Sequence, residues 1–98
     1  MKNTEKKLKI EVEDNKYTLE KSHRDCFELE EFIDTYTDYF SPFDYIVGDY
    51  SYDKLRLKGF YKSDNKNVSD CNDIKRLNDY IDNYCAYGAK YFLLKKIK

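Results

Sequence analysis

The middle of the chain, residues 43–61, holds the side chains best suited to bind a ligand. Tyr50 and Phe60 offer aromatic rings, and Arg56 and Lys58 offer positive charge, a combination that can stack bases and neutralise phosphates. Asp49 ends a strand, where it could accept backbone amides or pair with Arg56. These five residues form the candidate binding site.

Metal binding is a competing hypothesis for other polar side chains. A zinc site would need four ligands, which could come only from a scattered set: His23, Cys26, Cys71 and Cys85. A magnesium site could use the aspartates around the central stretch: Asp38, Asp44, Asp49 and Asp53. Structural zinc ligands usually come in close pairs, and aspartates near turns usually bond backbone amides. We therefore predict no metal and no cofactor.

The common signatures of catalysis are absent from the sequence. It has no Walker loop, no Gly-rich phosphate cradle, no GxSxG and no HExxH motif, and its single histidine has no motif around it. An enzyme is therefore the third hypothesis, behind a binding or adaptor module and an RNA-binding protein.

A short match to an RNA-binding motif supports the RNA alternative. The residues Lys58-Gly59-Phe60 open like the first motif of an RRM, and they would lie on a corresponding strand. The match then fails, because Tyr61 replaces a small residue and a polar segment follows. What is left is the looser hypothesis of an exposed basic and aromatic strip formed by Arg56, Lys58 and Phe60.

Two hairpins are predicted from alternating side chains. In the central one, Leu55 and Leu57 alternate with basic residues, which places both leucines on the buried face and Arg56, Lys58 and Phe60 on the other. Gly59 shares the leucine face, where something can pack close to the backbone. The first hairpin spans residues 8–19, with its turn at Asp14-Asn15.

Two helices and a last strand complete the prediction. Asp25 can cap the first helix, and Ser41-Pro42 ends it. Its apolar face is formed by Leu29, Phe32, Ile33, Tyr36 and Phe40. Asn72 can cap the second helix and Gly88 can end it. Its apolar face is formed by Ile74, Leu77, Ile81, Tyr84 and Cys85. The continuous apolar run of residues 91–94 predicts a central strand.

The predicted architecture is a single α+β domain over residues 1–98, with a frayed segment at 1–7. Its elements follow the order ββαββαβ and form one mainly antiparallel sheet of about five strands, with both helices packed on one face.

Charge and hydropathy define the expected setting of the domain. Eighteen basic and nineteen acidic residues give a net charge of -1, and they are mixed along the chain, so no overall basic field exists to hold DNA or an anionic membrane. No apolar run reaches the ~20 residues of a membrane span, and the first residues lead into Lys- and Glu-rich sequence rather than the apolar stretch of a signal peptide. We expect a cytoplasmic protein with reduced cysteines and a protein partner, with RNA as the other possibility and DNA not expected.

The sequence resembles the YutD-like proteins, a family of small bacterial proteins. The resemblance is densest in DYIVGD at residues 44–49 and LRLKGFY at residues 55–61, and it continues through Asp79-Tyr80, Tyr84-Cys85 and Tyr91-Phe92. It implies an α+β domain with no established activity. The resemblance therefore predicts a fold and adds little chemistry.

Overall fold

The computed structural model describes residues 8–22, 26–51, 54–84 and 90–97. Its elements are β1 (Lys9–Val12), β2 (Asn15–Ser22), α1 (Leu29–Thr35), β3 (Tyr45–Ser51), β4 (Lys54–Phe60), α2 (Leu77–Tyr84) and β5 (Tyr91–Ile97). Two single turns of 3₁₀ helix also occur, at Asp38–Phe40 and Ile74–Arg76. The predicted α+β class and the order ββαββαβ are confirmed.

All five strands form one antiparallel sheet with the order β1-β2-β5-β3-β4. Strand β5 lies at the centre, as its continuous apolar run predicts, and its Phe92 and Leu94 are fully buried. Strands β1 and β4 form the two edges. In the central hairpin, β4 is therefore an edge strand, whereas β3 is an interior strand paired on both sides.

The turn of the first hairpin falls one residue earlier than predicted. Glu13 and Asp14 both have positive φ, at 47° and 70°, and Val12 pairs directly with Asn15. Positive φ at both central residues is the two-residue turn that matches the twist of a hairpin. Asn15 is therefore the first residue of β2 and not part of the turn.

The first face of the sheet is covered by α1 and the turn that follows it. Phe32, Tyr36 and Phe40 are buried there as predicted, with Phe32 in edge contact with Tyr17 and Phe92. The predicted face is only partly buried, because Leu29 and Ile33 are exposed. Helix α1 ends at Thr35, so the regular spacing used in the prediction does not continue into the 3₁₀ turn.

Two glycines make room for aromatic rings on this first face. A Cβ added to Gly48 would collide with the ring of Phe92, and one added to Gly59 would collide with the ring of Phe43. The expected close approach at Gly59 is therefore present. Leu55 and Leu57 lie on the same face, and they pack against the core while remaining partly exposed.

Helix α2 covers the opposite face of the sheet, so the prediction that both helices pack on one face is wrong. Phe60 points away from the face that holds Gly59, and its ring lies 5.6 Å from the ring of Tyr80 in α2. Side chains alternate along β4, so Phe60 lies on the face opposite Leu55 and Leu57. Because Phe60 is fully buried, another element must cover that face, and α2 does so. The domain therefore has a sheet between two helices.

Two aspartates fix the segment that leads from β4 to α2. The Asp44 carboxylate accepts hydrogen bonds from the Lys62 backbone N–H at 2.8 Å and the Asn65 amide at 3.0 Å. Buried Asp73 accepts from the Ser63 hydroxyl at 2.5 Å and the Lys75 backbone N–H at 3.1 Å. The Ser63 hydrogen bond lowers the pKa of the Asp73 carboxyl. Asp73, and not the predicted Asn72, caps the start of the helical segment.

Several predicted features lie outside the described residues. They are the frayed segment 1–7, the cap at Asp25, the helix end at Gly88, and the side chains of His23, Asp53 and Cys85. Within the described ranges, the helices are too short and too polar to cross a membrane.

Candidate functional site

Asp49 and Arg56 face each other across the central hairpin. They are direct partners in the β3–β4 ladder, and the Arg56 guanidinium donates to the Asp49 carboxylate at 2.5 Å. Asp49 is only 1% exposed, whereas the Arg56 side chain is half exposed. The cross-strand pairing considered from the sequence is therefore present, and it balances a buried charge.

Replacing Arg56 with Ala is expected to destabilise the protein by about 1–3 kcal/mol, because the buried Asp49 carboxylate loses its guanidinium partner. The matched control is Lys54→Ala, an exposed change two residues away on the same strand, which should alter stability by no more than about 0.5 kcal/mol. Thermal or urea unfolding measures both. Equal stability of the two variants would show that the Asp49–Arg56 pair adds nothing to folding.

Lys58 and Phe60 join Tyr80 in a cluster on the α2 side of the sheet. The Lys58 ammonium lies 5.2 Å from the ring centroid of Phe60 and 5.7 Å from that of Tyr80. Phe60 is fully buried, so its ring is not free to stack on a base. The exposed aromatic strip expected from the sequence is therefore absent at Phe60, because α2 covers this part of the sheet.

Tyr50 lies on the other face of the sheet from the remaining candidate residues. Its hydroxyl is 3.0 Å from Glu31 Oε1 and 3.1 Å from the Cys26 carbonyl oxygen. Burial, followed by the hydrogen bond to Glu31, raises the pKa of Tyr50 and keeps the phenol protonated as a donor. The structure thus brings together Asp49, Arg56, Lys58 and Phe60, and it places Tyr50 where it fastens α1 to the sheet.

Two of the aspartates considered for a magnesium site have structural roles in the described ranges. Asp44 holds the loop after β4, and Asp49 pairs with Arg56. Cys26 is buried and Cys71 is exposed. Among the described residues, no three His, Cys, Asp or Glu side chains come together in a group that could hold a metal ion.

A second surface, which the sequence argument missed, lies on the outer side of α1. Leu29 and Ile33 are one helical turn apart and are 46% and 42% exposed, and Tyr39 in the following turn is 68% exposed. Apolar side chains that form a contiguous surface patch rimmed by polar residues are typical of protein interaction sites. We call the outer side of residues 28–39, together with the turn at Glu13-Asp14, the acidic face.

The acidic face takes its name from a segregation of charge. Positions 25–53 contain nine acidic residues and no basic one, although the whole chain is nearly neutral. Glu30 and Asp34 are exposed on α1, which has no basic residue in its last turn. This run is the sequence signal that would have located the surface, and it corrects the description of the charges as mixed. An acidic side chain near the C-terminus of a helix interacts unfavourably with the helix dipole, so Asp34 does not stabilise α1.

The turn between β1 and β2 adds to the acidic face. The Asn15 amide donates to the Tyr36 hydroxyl at 3.0 Å and to the Ser41 hydroxyl at 3.3 Å, which holds the turn against the end of α1. A hydrogen bond with the Asp38 carboxyl is the main cause that raises the pKa of Glu13; repulsion from Asp38 also contributes. The turn therefore adds the exposed carboxylates of Glu13 and Asp14 to the acidic face.

The fold and these surfaces define a small antiparallel α+β domain with one helix on each side of its sheet. The family model described as "YutD-like: Putative antitoxin YutD-like" matches residues 11–95. This chain therefore belongs to the YutD-like family, which confirms the resemblance seen in the sequence.

YutD of Bacillus subtilis agrees with that assignment in both sequence and structure. "Putative antitoxin YutD" of Bacillus subtilis (strain 168) is 38% identical over 89 residues, covering 91% of this chain and 98% of the relative. The solution NMR structure of protein yutD from B. subtilis superposes with a TM-score of 0.79 at 35% identity, covering 98% of this chain and 87% of the other. The topology described above is thus that of an experimentally determined relative.

Proposed function

We propose that this protein is a cytoplasmic, non-catalytic binding module that holds a basic protein partner on its acidic face, as an antitoxin holds its target. The observation that carries the proposal is that exposed Leu29 and Ile33 lie beside the exposed carboxylates of α1, in a stretch of sequence, positions 25–53, that contains no basic residue. Apolar side chains would supply contact area, and the carboxylates would supply orientation and a fast encounter.

The name of the B. subtilis relative gives this proposal its biological class. "Putative antitoxin YutD" names a protein that counteracts a toxin, and we extend that description to this chain as part of the proposal. A basic partner fits the acidic face because like-charged surfaces repel and opposite surfaces steer each other together.

The RNA-binding alternative has less support from the geometry. It needed exposed rings beside available basic side chains on the central hairpin. Phe60 is buried, Tyr50 points to the other face, and Arg56 is paired with Asp49. The acidic face would repel a phosphate backbone, so we favour the protein partner.

Changing Asp34 to Lys is expected to abolish binding of the partner without destabilising the fold. The substitution places a positive charge near the C-terminus of α1, which should leave stability unchanged or raise it by about 0.3–1 kcal/mol. Tagged parent and variant are used to recover bound proteins from the source cells, which are identified by mass spectrometry. The expected result is one basic protein with the parent and its loss with Asp34→Lys.

The matched control is Asp82→Lys, which makes the same change on an exposed position near the end of α2, across the sheet from the acidic face. It should keep the partner. The recovered protein is then produced alone and together with each variant, and an antitoxin role predicts that only the parent and Asp82→Lys relieve its effect on growth. Recovery of RNA, or equal recovery with Asp34→Lys, would contradict the proposal.

A further inference from the structure

A pocket lies between β4 and α2, on the side of the sheet away from the acidic face. Its volume is about 390 Å³, within the range of about 300–1,000 Å³ that is usual for small-molecule sites. The rings of Phe60 and Tyr80 line it and meet edge to face, with 77° between their planes. We call it the β4–α2 pocket, and its apolar lining favours a ligand with an apolar or aromatic group.

One positive charge in the pocket is held by rings and not by a carboxylate. The Lys58 ammonium lies over both Phe60 and Tyr80 and has no carboxylate within 4.0 Å in the described part of the chain. An ammonium over ring faces can still donate a charge-assisted hydrogen bond to an anionic group. Lys58 is therefore placed to bind an anionic group directly above the aromatic lining.

The rim of the pocket limits how much negative charge a ligand can carry. Arg76 lies 3.7 Å from the Asp79 carboxylate and 4.0 Å from that of Asp70, and all three residues line the pocket. With Lys58 included, the lining has two positively charged and two negatively charged side chains, so its net charge is zero. A phosphate dianion would meet the two carboxylates at close range, whereas a single carboxylate can be balanced by Lys58 alone.

We infer that the β4–α2 pocket binds a monocarboxylate attached to an apolar or aromatic group. The same chemistry occurs in the C-terminal residue of a peptide and in a free aromatic acid. In either case the ring or alkyl group contacts the partly exposed ring of Tyr80, which Phe60 supports from below, and the carboxylate accepts hydrogen bonds from the Lys58 ammonium. This inference is independent of the acidic face, which lies on the other side of the sheet.

Titrations followed by ¹H–¹⁵N NMR of the full chain test the inference. The probes are phenylacetate, the peptide Gly-Gly-Phe, its C-terminal amide, and phenyl phosphate. We expect saturable shifts at Tyr80 and Phe60, and about tenfold weaker binding of the amide than of the free peptide. Tighter binding of Gly-Gly-Phe than of phenylacetate would identify a peptide end as the ligand, and the reverse would identify a free acid.

Lys58→Met isolates the role of the ammonium, because Met keeps most of the side-chain stem. This variant should bind the free peptide and its amide equally, whereas the control Lys54→Met, on the same strand and face, should keep the preference for the carboxylate. Absence of saturable shifts in the parent would overturn the inference. Tighter binding of phenyl phosphate, or an unchanged carboxylate preference in Lys58→Met, would overturn it as well.

Discussion

Gly48→Ala is expected to destabilise the protein by about 3 kcal/mol, at the upper end of the usual cost of overpacking a core. The added methyl group would occupy the space of the Phe92 ring, and Phe92 is fully buried in the central strand. The ring cannot move aside easily, because it packs edge to face against two other rings. Its centroid lies 4.9 Å from that of Phe27 and 6.3 Å from that of Phe32. Urea unfolding of parent and variant measures the loss.

A double-mutant cycle with Phe92→Leu tests the reason for the loss. Shortening Phe92 vacates space above Gly48, so the double variant should be more stable than the sum of the two single changes predicts, by about 1 kcal/mol or more. Gly59→Ala should cost at least as much as Gly48→Ala, since the added methyl group would collide with the Cγ end of the buried Phe43 ring, which cannot shift without moving its own backbone. Additive costs in the cycle, or parental stability of Gly48→Ala, would show that the Phe92 ring does not require a glycine.

Phe60→Ala is expected to cost about 3–5 kcal/mol, the usual range for removing a fully buried phenylalanine. The ring supports Tyr80 of α2 and lies beneath the Lys58 ammonium, so its removal leaves a cavity between β4 and α2. Tyr39→Ala is the control, because that ring is largely exposed on the acidic face and its loss should cost no more than about 1 kcal/mol. If Phe60→Ala had the melting temperature of the parent, Phe60 would not be a core residue, and the exposed aromatic strip predicted from the sequence would be the better description.

The strands could be predicted because their side chains alternate and each strand keeps one pattern. Leu55 and Leu57 fall on the α1 face and Phe60 on the other, as a period of two requires. The position of β5 followed from its continuous apolar run, since an interior strand is covered on both faces. Local pattern is sufficient in these cases.

The placement of the helices could not be predicted, because it depends on contacts between distant parts of the chain. Whether Phe60 is exposed depends on which face α2 covers, and no local pattern near Phe60 records that choice. Leu29 and Ile33 have helical spacing that is typical of a core, yet α1 is short and buries only its Phe32 side. Apolar spacing alone cannot distinguish a buried face from a binding face.

The candidate site was predicted in part. The Asp49–Arg56 pair and the shared face of Lys58 and Phe60 follow from strand alternation and direct pairing. Tyr50 was grouped with them by its distance along the chain, although neighbouring residues of a strand point to opposite faces. The acidic face was missed because the net charge of -1 conceals the segregation of charge along the chain.

The affinity of the recovered partner for the acidic face is the most direct test of the proposed function. Isothermal titration calorimetry of the purified partner with parent, Asp34→Lys and Asp82→Lys, each at low and at physiological salt, separates charge from apolar contact. We predict that parent and Asp82→Lys bind alike and weaken as salt rises, and that Asp34→Lys binds at least about tenfold more weakly at low salt. Affinities within about twofold for all three proteins, independent of salt, would contradict a basic partner held on the acidic face.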